Sequence, residues 1–272
     1  MNRRYVILLT ACVNPCGMPF TVLNDASERL RQYREALDFY LRETTFPIVF
    51  CENTMCDVGH DYSEYVESGR LEVITFNGND FDKSKGKGYG EAIILKTAIA
   101  RSSIIDGDTI IVKVTGRLKV LNITELIQDN GKIGNNVVQT FFSSSNMIDS
   151  RLFIAPCPFY TDDFLPKAMG ISDSEGVFFE HKLYEAIIER KHCYYYPFLI
   201  VPVVIGSSGS TGQPYVESKS RHSASRFRYD MLGNVLRFDK RCSRSHLSLF
   251  DKIVICMKRC LLLLTPTEQC AP

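Results

Sequence analysis

Residues 5–13 form an unbroken apolar run that stops at Asn14 and Pro15, the pattern of a strand buried on both faces. Asp25 or Ser27 can cap a helix reaching about Arg42, along which Leu30, Tyr33, Leu37, Tyr40 and Leu41 recur at helical spacing. The pattern then predicts a short buried strand at 47–51 ending in Glu52 and Asn53, a helix at 62–67 and a strand at 71–76. A polar block over 77–90 leads into a helix predicted from about Glu91 to Arg101, followed by a strand over 108–114. Strands at 137–142 and 151–156, a helix over 179–190 and an apolar β segment over 194–205 complete the body. Alternating strands and helices predict an α/β fold, with a mixed, mostly parallel sheet flanked by helices. Residues 206–214 are a Gly/Ser-rich loop, and helical patterning dominates from Arg221 onward. The expected organisation is one unit over 1–215, in halves at 1–125 and 126–215, with a helical basic extension over 216–272.

Composition adds little to this. The chain has 272 residues, 45% hydrophobic and 23% charged, as in ordinary globular proteins. A formal net charge of +1 argues against wholesale nucleic-acid binding. The charge is uneven: residues 216–272 hold 11 Lys/Arg against 5 Asp/Glu, and the first 215 hold 21 against 26. A basic tail on an acidic body fits a membrane surface, an anionic partner or a solvated helical face. The ten cysteines are scattered, and neither the 12/16 nor the 256/260 spacing is completed into a zinc pattern. Reduced thiols in a cytoplasmic protein are expected. The apolar stretch 5–9 is shorter than the roughly 7–15 residues of a secretory signal core. The stretch 253–264 is broken by Lys258 and Arg259 and falls short of the roughly 20 residues of a spanning helix.

Two segments carry candidate chemistry. Lys-Gly-Lys-Gly-Tyr-Gly-Glu at 85–91 opens a helix directly after a loop. A helix start offers free N–H groups and a positive dipole end to an anion, and glycines let a phosphate approach. Lys85 and Lys87 add charge. This is neither a Walker loop nor the dinucleotide fingerprint, and a flexible lysine-rich loop has the same composition. The second segment, Lys-Val-Thr-Gly-Arg at 113–117, ends a buried strand. Ligands of open α/β sheets bind at such strand ends. Lys113 and Arg117 there need an anion, either a ligand or a structural carboxylate.

The order of elements up to Arg117, with Arg29, Gln32 and Tyr33 on the first helix, resembles the donor half of GT-A-fold glycosyltransferases. Asn-Pro-x-Gly-Met from residue 14, Gly-Lys-Gly-Tyr-Gly-Glu at 86–91 and Lys-Val-Thr-Gly-Arg at 113–117 are similar to a group of bacterial enzymes for capsule or O-antigen sugars. The resemblance covers roughly the first 190 residues. It implies a nucleotide-sugar donor, a saccharide or lipid-linked saccharide acceptor, and no nucleic-acid partner. It also implies a cytoplasmic enzyme, with peripheral contact at the inner membrane face through the basic C-terminal helix as an option. The family's usual Asp-x-Asp, which holds a divalent metal, is replaced here by Lys-Val-Thr-Gly-Arg. Lys113 and Arg117, with Lys85 or Lys87, are therefore expected to replace the metal, so that no cofactor is required; manganese or magnesium on the donor is the alternative.

The resemblance places Thr10, Ala11 and Asn14 along the base and ribose, with Glu52 and Asn53 opposite. Gly88, Gly90, Glu91, Thr115, Gly116 and His222 complete the donor set. An inverting transferase needs a carboxylate near the acceptor hydroxyl. Glu180, in Gly-Val-Phe-Phe-Glu-His-Lys at 176–182, is the candidate, with His181 as a second proton carrier and Arg117 on the leaving group. Asp162 and Asp163 compete with Glu180, and a retaining reaction requires no such base. The 206–212 loop, with Gln213, reads as a lid or acceptor loop, followed by Arg221, His222, Arg226 and Arg228. Two other readings stay open: a sugar-phosphate nucleotidyltransferase and an inactive nucleotide-binding module.

Overall fold

The structure, a computed structural model, describes residues 4–133, 136–140, 142–144, 146–189, 193–198 and 202–215. His222, Arg221, Arg226, Arg228 and the whole 216–272 extension lie outside the described residues. Four parallel strands open the chain: β1 (Tyr5–Ala11), β2 (Ile48–Glu52), β3 (Leu71–Thr75) and β4 (Ile110–Thr115). A two-residue β5 (Lys119–Val120) precedes β6 (Val137–Thr140), β7 (Phe142–Ser144), β8 (Met147–Ile148), β9 (Leu152–Pro156), β10 (Tyr194–Pro197) and β11 (Val204–Ile205). The main sheet has seven strands in the order β10-β6-β9-β4-β1-β2-β3. Only β9 runs against its neighbours, pairing antiparallel with β4 and β6. The expected α/β fold with a mostly parallel sheet is present, and one sheet runs through both expected halves.

The helices are α1 (Ala26–Glu43), α2 (Ser63–Glu67), α3 (Gly86–Arg101), α4 (Ile123–Ile133), α5 (Leu165–Ala168) and α6 (Phe179–Glu189). Strict alternation along the strands sorts them onto two faces. Tyr5, Ile7, Leu9, Ile110, Val112 and Val114 pack against Tyr33, Ala36 and Leu37 of α1 and Leu126 of α4. Val6, Leu8 and Ile111 pack against Ala92, Leu95 and Ala98 of α3 and Leu183 and Ile187 of α6. Asp25 caps α1, accepting the Glu28 N–H at 2.7 Å.

Three details differ from the sequence pattern. Helix α3 begins at Gly86 rather than near Glu91, so the glycine block is its first turns. Residues 123–133 and 159–168 are helical where no helix was expected. The segment 194–205 is two strands: β10 extends the main sheet beside β6, and β11 pairs with β5. Pro197, the last residue of β10, has no N–H to offer a ladder.

Candidate functional site

The chain runs outward from β1 through β2 to β3, then returns to place β4 on the other side of β1. The β1/β4 pair is therefore the topological switch point, where open α/β sheets hold ligands beyond the carboxyl ends of their strands. Thr10 and Thr115 are register partners there. Gly116 donates its N–H to the Thr10 carbonyl at 2.9 Å. A Cβ at residue 116 would stand 2.7 Å from that oxygen, so the close crossing admits only glycine.

On the α3 face, the expected role of Lys113 needs correction. Its side chain is fully buried, and its ammonium lies 2.6 Å from Glu91 Oε1. It also donates to Thr115 Oγ1 at 3.2 Å and to the Ser150 carbonyl, with the rings of Phe153 and Phe179 beside it at 5.7 and 5.6 Å. Thr10 donates its hydroxyl to the same Glu91 oxygen at 2.8 Å. Strand alternation puts Lys113 on the α3 face, away from Arg117. Its charge is matched by Glu91 rather than held free for a ligand. Ser150 continues the network, donating to Glu180 Oε1 at 2.7 Å. Burial pushes the Glu180 carboxyl above its usual range; the Ser150 hydrogen bond opposes this, and Glu91 and Asp149 add to it.

The start of α3 is also occupied. The Asp173 carboxylate accepts the backbone N–H of Lys87, and it sits where a Cβ on Gly86 would be, 1.9 Å from Oδ2. Gly86 has φ of +80°, outside the range of an ordinary helical residue. Cβ atoms on Gly88 and Gly90 would approach Phe179 and Phe81 to 3.0 Å each. These glycines seat the helix against its neighbours, and the anion at its N-terminus is the protein's own. Lys85 places its ammonium over the Tyr89 ring at 4.3 Å, whereas Lys87 is exposed.

Arg117 emerges toward α1 and differs from Lys113. It is 7% exposed and pairs with no carboxylate among the described residues. Its Nη1 donates to Gln32 Oε1 at 3.0 Å and to the Ser207 carbonyl at 3.2 Å, both neutral acceptors. Its Nε is buried without a partner. Asn53, 1% exposed, at the end of β2, also buries an unpartnered atom, Oδ1, close to Gly90 of α3. Buried polar atoms are nearly always satisfied, and two of the three exceptions among the described residues stand at these strand ends; the third is Nη1 of Arg70.

Glu52 does not serve as a ribose acceptor. It is fully buried, and its oxygens accept the N–H groups of Val13 at 3.0 Å, Thr54 at 2.8 Å and Cys56 at 2.9 Å, plus the hydroxyls of Thr54 and Thr75. Its acceptor capacity of about four lone pairs is used. Ala11 is buried and gives its carbonyl to the Asn53 N–H, whereas Asn14 is exposed on the turn that follows and accepts Asn79 Nδ2 at 3.0 Å. Arg29 donates to the Cys12 carbonyl at 2.7 Å and the Leu23 carbonyl at 3.0 Å, which fixes the β1–α1 loop. Burial pushes the Cys12 thiol up to about 11, leaving it un-ionised at neutral pH.

His181 is tied to the start of α6. Its Nδ1 accepts the Phe178 N–H at 3.1 Å and its ring stacks on Phe178, in the manner of a side chain reaching back to a cap. Asp162 and Asp163 follow the opposite end of the strands, because Pro156 of antiparallel β9 pairs with Ile110 at the start of β4. The same reversal brings Asp149 and Ser150, just before β9, to the site, a placement that depends on strand direction and has no local sequence signal. No three His, Cys, Asp or Glu side chains gather to hold a metal ion among the described residues. No described helix is long and apolar enough to cross a membrane.

No family model matches the chain, and no curated protein matches it. Among solved structures it is similar to one described as "Crystal structure of 4-diphosphocytidyl-2C-methyl-D-erythritol synthase". That likeness has 12% identity over 65% of this chain and 86% of the other, with a TM-score of 0.34. A likeness that loose carries no argument about function.

Proposed function

We propose that this chain is a glycosyltransferase. It takes a sugar from a nucleotide-sugar donor and passes it, without a divalent metal, to a saccharide or lipid-linked acceptor in cell-surface polysaccharide synthesis. The observation that carries the proposal is Arg117: a guanidinium buried at the switch point that, among the described residues, has one unpartnered N–H and neutral acceptors on another. A buried charge without a countercharge is costly, and a diphosphate supplies that countercharge. The same guanidinium then stabilises the charge that grows on the nucleoside diphosphate as the sugar departs. Lys87 is the second cation, and Lys85 lies on the same side. Asn53 offers its Oδ1, unpartnered among the described residues, to the nucleoside.

The carboxylates stand on the other face of the β1/β4 pair, where hydroxyl groups would be handled. Glu91 is oriented by Lys113 and Thr10 through one oxygen, and its other oxygen accepts nothing from the described residues. Glu180 serves as the proton acceptor, because burial raises its affinity for a proton above that of an ordinary carboxylate. Nucleotidyl transfer is less well supported, because Arg29, beside the first turn, spends its donors on the Cys12 and Leu23 carbonyls and the Tyr33 hydroxyl. The experiment is sugar transfer measured in EDTA. Activity is expected to persist; abolition by EDTA with rescue by manganese would overturn the metal-free mechanism.

A further inference from the structure

The loop after β11 crosses the site as a strap. Its base is fixed. Val204 and Ile205 pair with β5, Tyr215 returns its N–H to the Gly206 carbonyl at 2.8 Å, and the Arg151 guanidinium lies 4.5 Å over the Tyr215 ring. Its tip, Ser-Ser-Gly-Ser-Thr-Gly at 207–212, carries no large apolar side chain and is held by polar contacts. The Ser207 carbonyl accepts from Arg117 and the Ser210 hydroxyl accepts from Lys87. The Gly209 carbonyl accepts the N–H groups of Val22 at 3.1 Å and Leu23 at 3.3 Å. Gly209 also packs on Arg117, since a Cβ there would lie 2.6 Å from Nη2.

Each side-chain contact of the tip thus uses a cation assigned above to the donor. We infer that the 207–212 strap is a latched lid: Arg117 and Lys87 hold it shut with neutral oxygens, and a diphosphate opens it by taking both cations. The inference rests on the proposed donor site and adds its regulation. A phosphate adds Coulomb attraction between opposite charges that the neutral Ser207 and Ser210 oxygens lack, so the exchange favours the ligand. The closed state lowers apparent affinity by the fraction of molecules that are open. Loosening the latch therefore tightens ligand binding, which a purely structural loop would not do.

The test uses the full chain, with inorganic pyrophosphate and UDP, GDP, CDP and dTDP as probes. Hydrogen exchange is followed at the Val22 and Leu23 amides, which report directly on the bond to Gly209. Saturating diphosphate is expected to speed their exchange, and Lys87→Ala is expected to do so without ligand. Ser210→Ala is expected to bind the diphosphate about 2- to 10-fold more tightly, the worth of one hydrogen bond. Bound diphosphate with unchanged or slower exchange at these amides, or weaker binding by Ser210→Ala, overturns the lid and leaves the donor site standing. If no probe binds either wild type or Ser210→Ala, the donor site falls and the lid with it.

Discussion

Two residues at the β1/β4 crossing have the same type of charge and opposite fates. Lys113 and Arg117 are four apart, yet Lys113 is neutralised by Glu91 on one face while, among the described residues, Arg117 meets neutral oxygens on the other. Sequence shows that a buried cation needs an anion; it does not show whether the anion is internal, because that depends on which helix covers which face. Glu52 illustrates the same limit. A carboxylate after the second strand is a reasonable ribose acceptor, but the loop behind it folds back and saturates it. Glu52→Gln is therefore expected to lower unfolding free energy by about 1–3 kcal/mol, the cost of unmade buried hydrogen bonds, and to leave nucleotide affinity within twofold. Urea unfolding and calorimetric titration check the two halves; a selective loss of affinity would restore its ligand role. Glu180 makes a pH prediction. Its folded-state pKa lies above the ordinary 4.5, so it contributes stability at low pH that is lost as pH rises through the raised value. Compared with Glu180→Gln, the wild type is expected to lose stability steadily from about pH 4.5 upward in urea unfolding. A difference independent of pH would mean that burial does not raise the proton affinity of this carboxyl.

At the scale of elements, the periodic segments were legible. Strands β1 to β4 and helix α1 sit within a few residues of where the apolar pattern puts them, because each is buried on the faces the pattern marks. What the pattern could not locate depends on distant contacts. Helix α3 starts five residues early because Asp173, nearly ninety residues away, supplies the anion that lets glycines begin a helix. Helix α4 carries Asn130 and Gly131, turn formers by composition, but Asn130 is buried and accepts the Tyr5 hydroxyl at 2.9 Å. The glycine block therefore has a testable meaning. Gly86→Ala places a methyl on the Asp173 carboxylate and strains a left-handed backbone, at a cost of about 2 kcal/mol or more. A loss of stability in thermal unfolding is expected, before any loss of binding. Unchanged stability with lost nucleotide binding would instead mean that Gly86 makes room for a phosphate.

For the whole molecule, the sheet itself divides the labour. Its strand order sets a switch point, the α1 side of that point carries a guanidinium that pairs with no carboxylate among the described residues, and the α3 side carries the carboxylates Glu91 and Glu180. The proposed nucleotide-sugar donor fits this division with its central diphosphate at the guanidinium and the hydroxyls of the transferred sugar toward the carboxylates. The sequence pattern pointed to the end of the sheet where Thr10, Thr115 and Arg117 meet. It overcounted the cations, because pairing across elements is invisible until the chain is folded. The most direct test is calorimetric titration of UDP-, GDP-, CMP- and dTDP-sugars into wild type and Arg117→Ala, both in EDTA. One donor is expected to bind the wild type without metal and to bind Arg117→Ala at least about tenfold more weakly, the loss of a charge-assisted contact. Binding that needs manganese, or that is the same in both proteins, would contradict the assignment of Arg117 as the diphosphate's cation.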